Sequence, residues 1–315
     1  MNKSLHEALR MSEELRAALA EGKPVVALES TVISHGLPYP QNLALAREME
    51  QIVRDGGATP ATIALAEGQL QIGLDDSLLE RLATEAHVAK ISLRNLGLVL
   101  ADRALGATTV AATMWAAQAA GIAIFATGGI GGVHPGDGMD ISADLPALAT
   151  IPVCVVSSGA KAILDLPRTC EWLESWGVPL LGWQSDEMPA FYSRTSGRYV
   201  DRRVEDATAA ARLIDAHLAL GRSGILLAVP PPPETALEAT QMQRWVQAAQ
   251  REARARNVSG SELTPFLLGE LATRSEGRTL QSNLALLKNN ARVAAQVATA
   301  LAFKRSAHER ANARS

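Results

Sequence analysis

Two hydrophobic rhythms alternate along the chain. Nearly unbroken apolar runs occur at PVVALES (24–30), ATIALAEGQLQIGL (61–74), VAKISL (88–93), IAIFATG (122–128), PVCVVSSG (152–159), VPLLGW (178–183) and GILLAVP (224–230). Between them, apolar residues recur at helical spacing over 40–55, 76–86, 109–120, 160–176, 205–220, 234–256, 260–274 and 278–303. Runs without polar alternation fit strands covered on both sides. Strands separated by helices predict an α/β fold: a mainly parallel central sheet with helices on both faces, α/β/α. Gln69, between ALAEG and LQIGL, marks a local antiparallel excursion.

The same pattern predicts one domain. A charged N-terminal helix is expected over 1–20, a single α/β catalytic domain over 21–304 and a polar, frayed tail over 305–315. The proline run 230–233 is a stiff break, but the helices beyond it are apolar on one face and need a surface to cover. No charged residue occurs from Ala104 to Gly136, longer than a membrane helix requires. Glycines at 121, 128, 129, 131 and 132 punctuate it, so it reads as buried helix, buried strand and glycine loop.

Composition changes this picture little. A net charge of −3 over 315 residues carries no basic footprint for nucleic acid. No secretory leader or membrane partner is expected. Two cysteines, Cys154 and Cys170, make no disulfide framework and fit a cytoplasmic setting.

Candidate chemistry gathers at strand ends, where ligands bind in open α/β sheets. Lys161 closes the uncharged stretch LPALATIPVCVVSSGAK (145–161) and is one of six lysines against twenty-four arginines. Burial disfavours an ammonium, and a free amine can attack carbon, as arginine cannot. The plain alternative is a lysine whose head reaches water. Glu29 follows VVAL; a carboxyl there can keep its proton and act as a general acid, or simply pair with backbone donors or an arginine. His35, in SHGLPYP, gives a weaker signal and equally well holds a turn. Lys90 suits a phosphate or sugar oxygen, or is a strand-edge lysine.

TGGIGGVHPG (127–136) offers backbone N–H groups to an anion, but has neither the Walker nor the dinucleotide glycine spacing. Asp140 and Asp144, with Ser142 between them, can share a hard divalent metal or cap the next helix; the spacing favours the cap.

Together, ALESTVISHGLPYPQN, TPATIALAEGQLQIGL, VAKISLRNL, ATGGIGGVH, DISADL, SSGAKAILDLPRTCEWLES, PAFYSRTSG and NLALLKNNARVAAQVA closely resemble the pseudouridine-5′-phosphate glycosidase family, which includes indigoidine-synthesis proteins of the A type. The resemblance runs from about residue 20 to about 303. It implies an enzyme that reversibly converts pseudouridine 5′-phosphate and water to uracil and ribose 5-phosphate. It further implies a divalent metal, Mn²⁺, and a homotrimer of α/β/α chains. Lys161 matches the covalent nucleophile, Glu29 the proton donor, Asp140 the metal position and Lys90 a substrate-binding lysine. Val110 and the triplet Ser142, Ala143 and Asp144 match substrate contacts; Thr127, His134 and Asn283 match positions near the ribose phosphate.

The chain departs from the family pattern in a shortened stretch between His134 and Asp140, and in Asn95, where an aspartate is expected. Two other functions compete with this reading. One is a lysine-dependent C–N or C–C lyase of the indigoidine synthase A type. The other is a phosphosugar-binding protein without catalysis. A dinucleotide oxidoreductase lacks its glycine fingerprint.

Overall fold

The computed structural model describes residues 8–136, 138–258 and 263–312. Its centre is a sheet of eleven strands. They are β1 (Leu9–Met11), β2 (Val25–Glu29), β3 (Thr59–Ala66), β4 (Gln69–Ile72), β5 (Ala89–Ile91), β6 (Gly106–Thr108), β7 (Ile124–Ala126), β8 (Cys154–Ser157), β9 (Leu180–Trp183), β10 (Arg202–Val204) and β11 (Ile225–Ala228). The main order is β1-β4-β3-β2-β7-β8-β11-β9-β10, with β6 on β3 and β5 on β6. All pairings are parallel except β3 with β4 and β3 with β6, so the expected excursion at Gln69 is an antiparallel hairpin.

Every predicted strand region contains a strand. The pattern missed β1, β6 and β10, each only three residues long. Three residues are too few to show a period, and pairing rather than propensity holds such strands in place. The predicted N-terminal helix is corrected: β1 precedes a helix, α1 (Glu13–Ala20), capped by Ser12, which accepts the Leu15 N–H. Residues 1–7 lie outside the described residues.

The layers follow from the strands. Along β2, Val25 and Ala27 face one core, and Val26 and Leu28 face the other. Four consecutive residues of β2 are thus buried on both faces. One face is covered by α1, α6 (Val110–Ala119) and α7 (Asp144–Thr150). The other carries α3 (Gln41–Asp55), α9 (Ala207–Leu218), α10 (Ala239–Ala255), α11 (Leu263–Arg274) and α12 (Arg278–Asn312). A smaller cluster joins α2 (Thr31–His35), α3 and α4 (Asp76–Thr84). Helices α5 (Leu96–Ala101) and α8 (Leu166–Ser175) complete the set. The helices beyond the proline run share the second core with β2, β7, β8 and β11, so the chain is one domain.

The uncharged stretch resolves as expected. In α6, seven residues from Val110 to Ala117 are buried, and the helix is apolar all round because protein surrounds it. Among the described residues, no helix is long and apolar enough to cross a membrane. The polar tail is also corrected: α12 continues through 305–312, and Lys304 and Arg305 both bind Asp215 of α9.

Candidate active site

The sheet forks at the end of β2. Residues Thr59 to Ile63 of β3 pair with β2, whereas Ala64 and Leu65 pair with β6 on that same edge. Glu29 is the last residue of β2 and stands at this fork. The fork is closed by hydroxyls. Ser30 Oγ donates to Ile63 C=O at 2.6 Å and accepts the Thr108 N–H at 2.9 Å, and Thr31 Oγ1 donates to Thr108 C=O at 2.7 Å. Where one strand replaces another, these side chains supply the partners the sheet no longer does.

The next strand ends are zipped together. Beyond β7 and β8, Thr127 N–H donates to Val156 C=O (3.0 Å) and Ser158 N–H to Gly128 C=O (2.9 Å). Ile130 N–H donates to Gly159 C=O (3.0 Å) and Lys161 N–H to Ile130 C=O (3.1 Å). Lys161 therefore does not sit on a helix, as the 160–176 pattern predicted. It sits on an extension of the sheet, and α8 begins only at Leu166, capped by Asp165. Gly159 turns the chain with φ +81°, and a Cβ there would lie 2.5 Å from Pro189 C=O.

Thr127 Oγ1 donates to Glu29 Oε1 across the gap between β2 and β7. Protein encloses the Glu29 carboxyl and burial pushes its pKa up, against the opposing pull of the Lys161 charge and the Thr127 hydroxyl. The residue as a whole is half-buried at the end of β2. Lys90 behaves similarly. Its side chain is open to solvent, while desolvation, then the Lys161 charge, push its pKa down against Glu29 and Asp144. Glu29, Lys90, Lys161 and Asp144 thus share one electrostatic neighbourhood.

Lys90 was expected at a strand end; it is the middle residue of β5, paired with Ala107 of β6. The turn after it is closed by Asn95, whose Oδ1 accepts the Ser92 N–H (2.8 Å) while its Nδ2 donates to Lys90 C=O (3.1 Å). An aspartate could not make the second bond, which gives the departure at Asn95 a physical role. His35 meets Val88 C=O at 3.1 Å, immediately before β5.

Asp144 is a cap, though not of its own helix. It is 6% exposed, its Oδ1 accepts the Ala111 N–H in the first turn of α6 (3.0 Å), and its Oδ2 accepts the Gly131 N–H (2.7 Å). Part of the glycine loop is correspondingly committed to the protein. The amides of Ile130, Gly131, Val133 and His134 all have protein acceptors. Gly131 is needed for closeness, since a Cβ there would fall 2.1 Å from Ser142 Oγ.

Val110 is buried at the start of α6, and Ser142 and Ala143 lead into α7, with Ser142 Oγ accepting the Asp144 N–H at 3.3 Å. Asn283 is partly buried on α12.

Asp144 accepts one backbone amide on each carboxylate oxygen, whereas the Asp140 side chain is 76% exposed. Asp140 lies beside His134, whose Nδ1 is 4.0 Å from its Oδ2 and whose N–H donates to its C=O at 2.9 Å. No cluster of three candidate ligands occurs among the described residues. One accessible carboxylate fits an ion of the magnesium or manganese type, which keeps several waters.

Two residues escaped the sequence reading. Asn290 of α12 is fully buried beside Thr127 and Ser158. Its signal was an asparagine within the buried stripe Leu286, Leu287, Ala291 and Ala294. Thr109 Oγ1, just before Val110, is buried with no protein partner among the described residues. Such a hydroxyl calls for water or a ligand. Beside Lys161 a cavity of about 410 Å³ opens, lined also by Asp165, Ser193, Arg198 and Gln243. That is within the usual size of small-molecule sites.

A carboxyl whose pKa burial raises, with Lys161 and Lys90 in its electrostatic surroundings, fits an α/β enzyme of the acid-and-amine kind. The chain belongs to the indigoidine synthase A-like family, whose model matches residues 14–300. It is 51% identical over 300 residues to the pseudouridine-5′-phosphate glycosidase of Caldanaerobacter subterraneus subsp. tengcongensis, covering 94% of this chain and 98% of that one. It is 53% identical over 296 residues to the pseudouridine-5′-phosphate glycosidase of Herpetosiphon aurantiacus, covering 93% and 98%.

Among solved structures it resembles the prealnumycin C-glycosynthase AlnA in complex with ribulose 5-phosphate. The TM-score is 0.89 and the identity 39%, over 95% of this chain and 99% of that one. An indigoidine synthase A-like protein from Thermotoga maritima matches with TM-score 0.83 and 36% identity, over 90% and 94%.

Proposed function

We propose that this chain is a pseudouridine-5′-phosphate glycosidase, cleaving the bond between ribose C1′ and uracil C5 reversibly. The observation that carries this is the Glu29 carboxyl bonded by Thr127 at the end of β2, with the Lys161 charge acting on it, in a chain 51% identical to a pseudouridine-5′-phosphate glycosidase. An ordinary glycosidase expels an oxygen or nitrogen leaving group with two carboxylates. A carbon leaving group needs another route, and an amine beside a protonated acid provides one.

Glu29 protonates the ring oxygen, and the C1′–O bond breaks as the base supplies electrons. The amine form of Lys161 adds to C1′, returning that electron pair to the base. A proton reaches C5; the C1′–C5 bond then breaks as the nitrogen lone pair forms the imine and the bonding pair restores the C5=C6 bond of uracil. Water hydrolyses the imine to ribose 5-phosphate and frees Lys161. Lys90 holds the anionic substrate, helped by Thr127, His134 and Asn283 near the ribose phosphate. Val110, Ser142 and Ala143 line its binding surface, whereas Asp144 acts by fixing the glycine loop. Mn²⁺, held by Asp140 and water, would polarise substrate oxygens when bound.

Borohydride with ribose 5-phosphate should trap an adduct on Lys161, detected by peptide mass spectrometry. Lys161→Ala should still bind pseudouridine 5′-phosphate yet release no uracil by ultraviolet assay. An untrapped, active wild type would sink the imine. Added Mn²⁺ should raise turnover of metal-stripped enzyme, and Asp140→Ala should abolish that response.

A second reading, C–C bond formation by the same imine with a different acceptor, is favoured by the likeness to a C-glycosynthase. Absence of uracil release from pseudouridine 5′-phosphate, with intact trapping, would select it. A homotrimer and a cytoplasmic setting accompany the proposal.

A further inference from the structure

Asn290 has no part in the chemistry above, yet its amide touches both the loop that bears Thr127 and the loop that bears Lys161. The residue is 0% exposed on a helix whose neighbouring buried positions are leucine and alanine. Its Nδ2 lies 2.9 Å from Thr127 C=O, 3.3 Å from Gly128 C=O and 3.2 Å from Ser158 Oγ. Its Oδ1 lies 3.3 Å from Ser158 Oγ. These contacts are mutually consistent in one arrangement. The two amide hydrogens go to the carbonyls of Thr127 and Gly128, and the Ser158 hydroxyl donates to Oδ1. A buried amide without such partners would be costly, so the satisfied set specifies the position of each loop.

We propose that Asn290 is a positioning residue that holds the proton donor and the amine in register. Thr127 is one of its partners, and Thr127 Oγ1 donates to Glu29. Ser158 is another, three residues before Lys161, with Gly159 C=O and Lys161 N–H bonded on either side of Ile130. The one amide therefore ties the end of β7 to the end of β8 from the helix layer. Sliding either loop would move Glu29 and Lys161 relative to each other. Displacement by about 1 Å is enough to cost about 10²-fold in rate. The inference rests on the roles given above to Glu29 and Lys161; the loop clamp itself is a statement about structure.

Three measurements on full-length Asn290→Ala and Asn290→Asp decide it, with circular dichroism confirming that each variant folds. The first is hydrogen exchange. Amides of 127–130 and 158–161 should exchange at least tenfold faster in both variants, while those of β9 and β11 stay unchanged. The second is kinetic: kcat for uracil release should fall about 10²-fold with KM within about threefold. The third is a pH profile. In Asn290→Asp, a protonated carboxyl can donate to one carbonyl as the amide does, whereas the carboxylate would face two carbonyl oxygens. The ratio of Asn290→Asp to wild-type kcat should therefore rise as pH falls, with no such trend for Asn290→Ala.

Unchanged exchange in both loops, or folded variants with kcat within twofold of wild type, overturns the proposal. If wild type itself releases no uracil, the functional reading fails, and the exchange result still decides the clamp.

Discussion

Glu29 shows how the surroundings of one position bear on stability. Its pKa is raised on folding, so between the ordinary carboxylate value and the raised value the native state keeps a proton that the unfolded chain releases. Stability then falls as pH rises through that window. Glu29→Gln retains a group that can accept the Thr127 hydroxyl and removes the titration. The variant should be inactive, and its melting temperature should exceed that of wild type by a margin that grows as pH rises above the ordinary carboxylate value. A margin that shrinks with rising pH in paired thermal scans would show that the carboxyl is stabilised as an anion. Asp144 teaches the complementary lesson. Its type and spacing fitted a metal or a cap, and the fold uses it as a cap: each carboxylate oxygen accepts a backbone amide from a different segment.

At the scale of elements, the long strands and helices were legible because their apolar period is a local property of the sequence. The places where the pattern misled are those where pairing overrides propensity. Residues 160–165 belong to a helical pattern, yet the Lys161 and Ile130 amides draw them into the sheet. The glycine loop looked like an anion site, and its Ile130, Gly131, Val133 and His134 amides are bonded within the protein, Ile130 as a strand-like partner of the Lys161 turn. Gly159 is the pivot of that turn. Gly159→Ala should lose at least about 1 kcal/mol from the left-handed backbone conformation alone, and more from the approach to Pro189 C=O. Urea denaturation should show the loss, and borohydride trapping should fall with it; a variant of wild-type stability and trapping would show that the turn is not needed.

The whole molecule is one sheet with a large core on each face and a smaller cluster beside it. Helix α12, last in the chain, reaches the centre of that arrangement by packing Leu286, Leu287 and Ala291 against the second core. Large apolar side chains also remain outside, among them Leu98, Trp176, Tyr199 and Phe303, each more than half exposed. They accord with the proposed homotrimer. Light scattering should give three times the 33.3 kDa chain mass, and a monomeric mass at micromolar concentration would remove that part of the proposal.

Apolar period, glycine punctuation and the ordered motif blocks are written along the chain, and they were enough for the layered α/β architecture, the family and the identity of Glu29 and Lys161 as a pair worth joining. What they could not carry is contact between distant positions. Thr127 bonds Glu29 across 98 residues and Asn290 bonds Thr127 across 163, and neither spacing follows any local period. Those bonds exist because parallel strands bring their carboxyl ends to one edge and because a polar group buried there must find a partner.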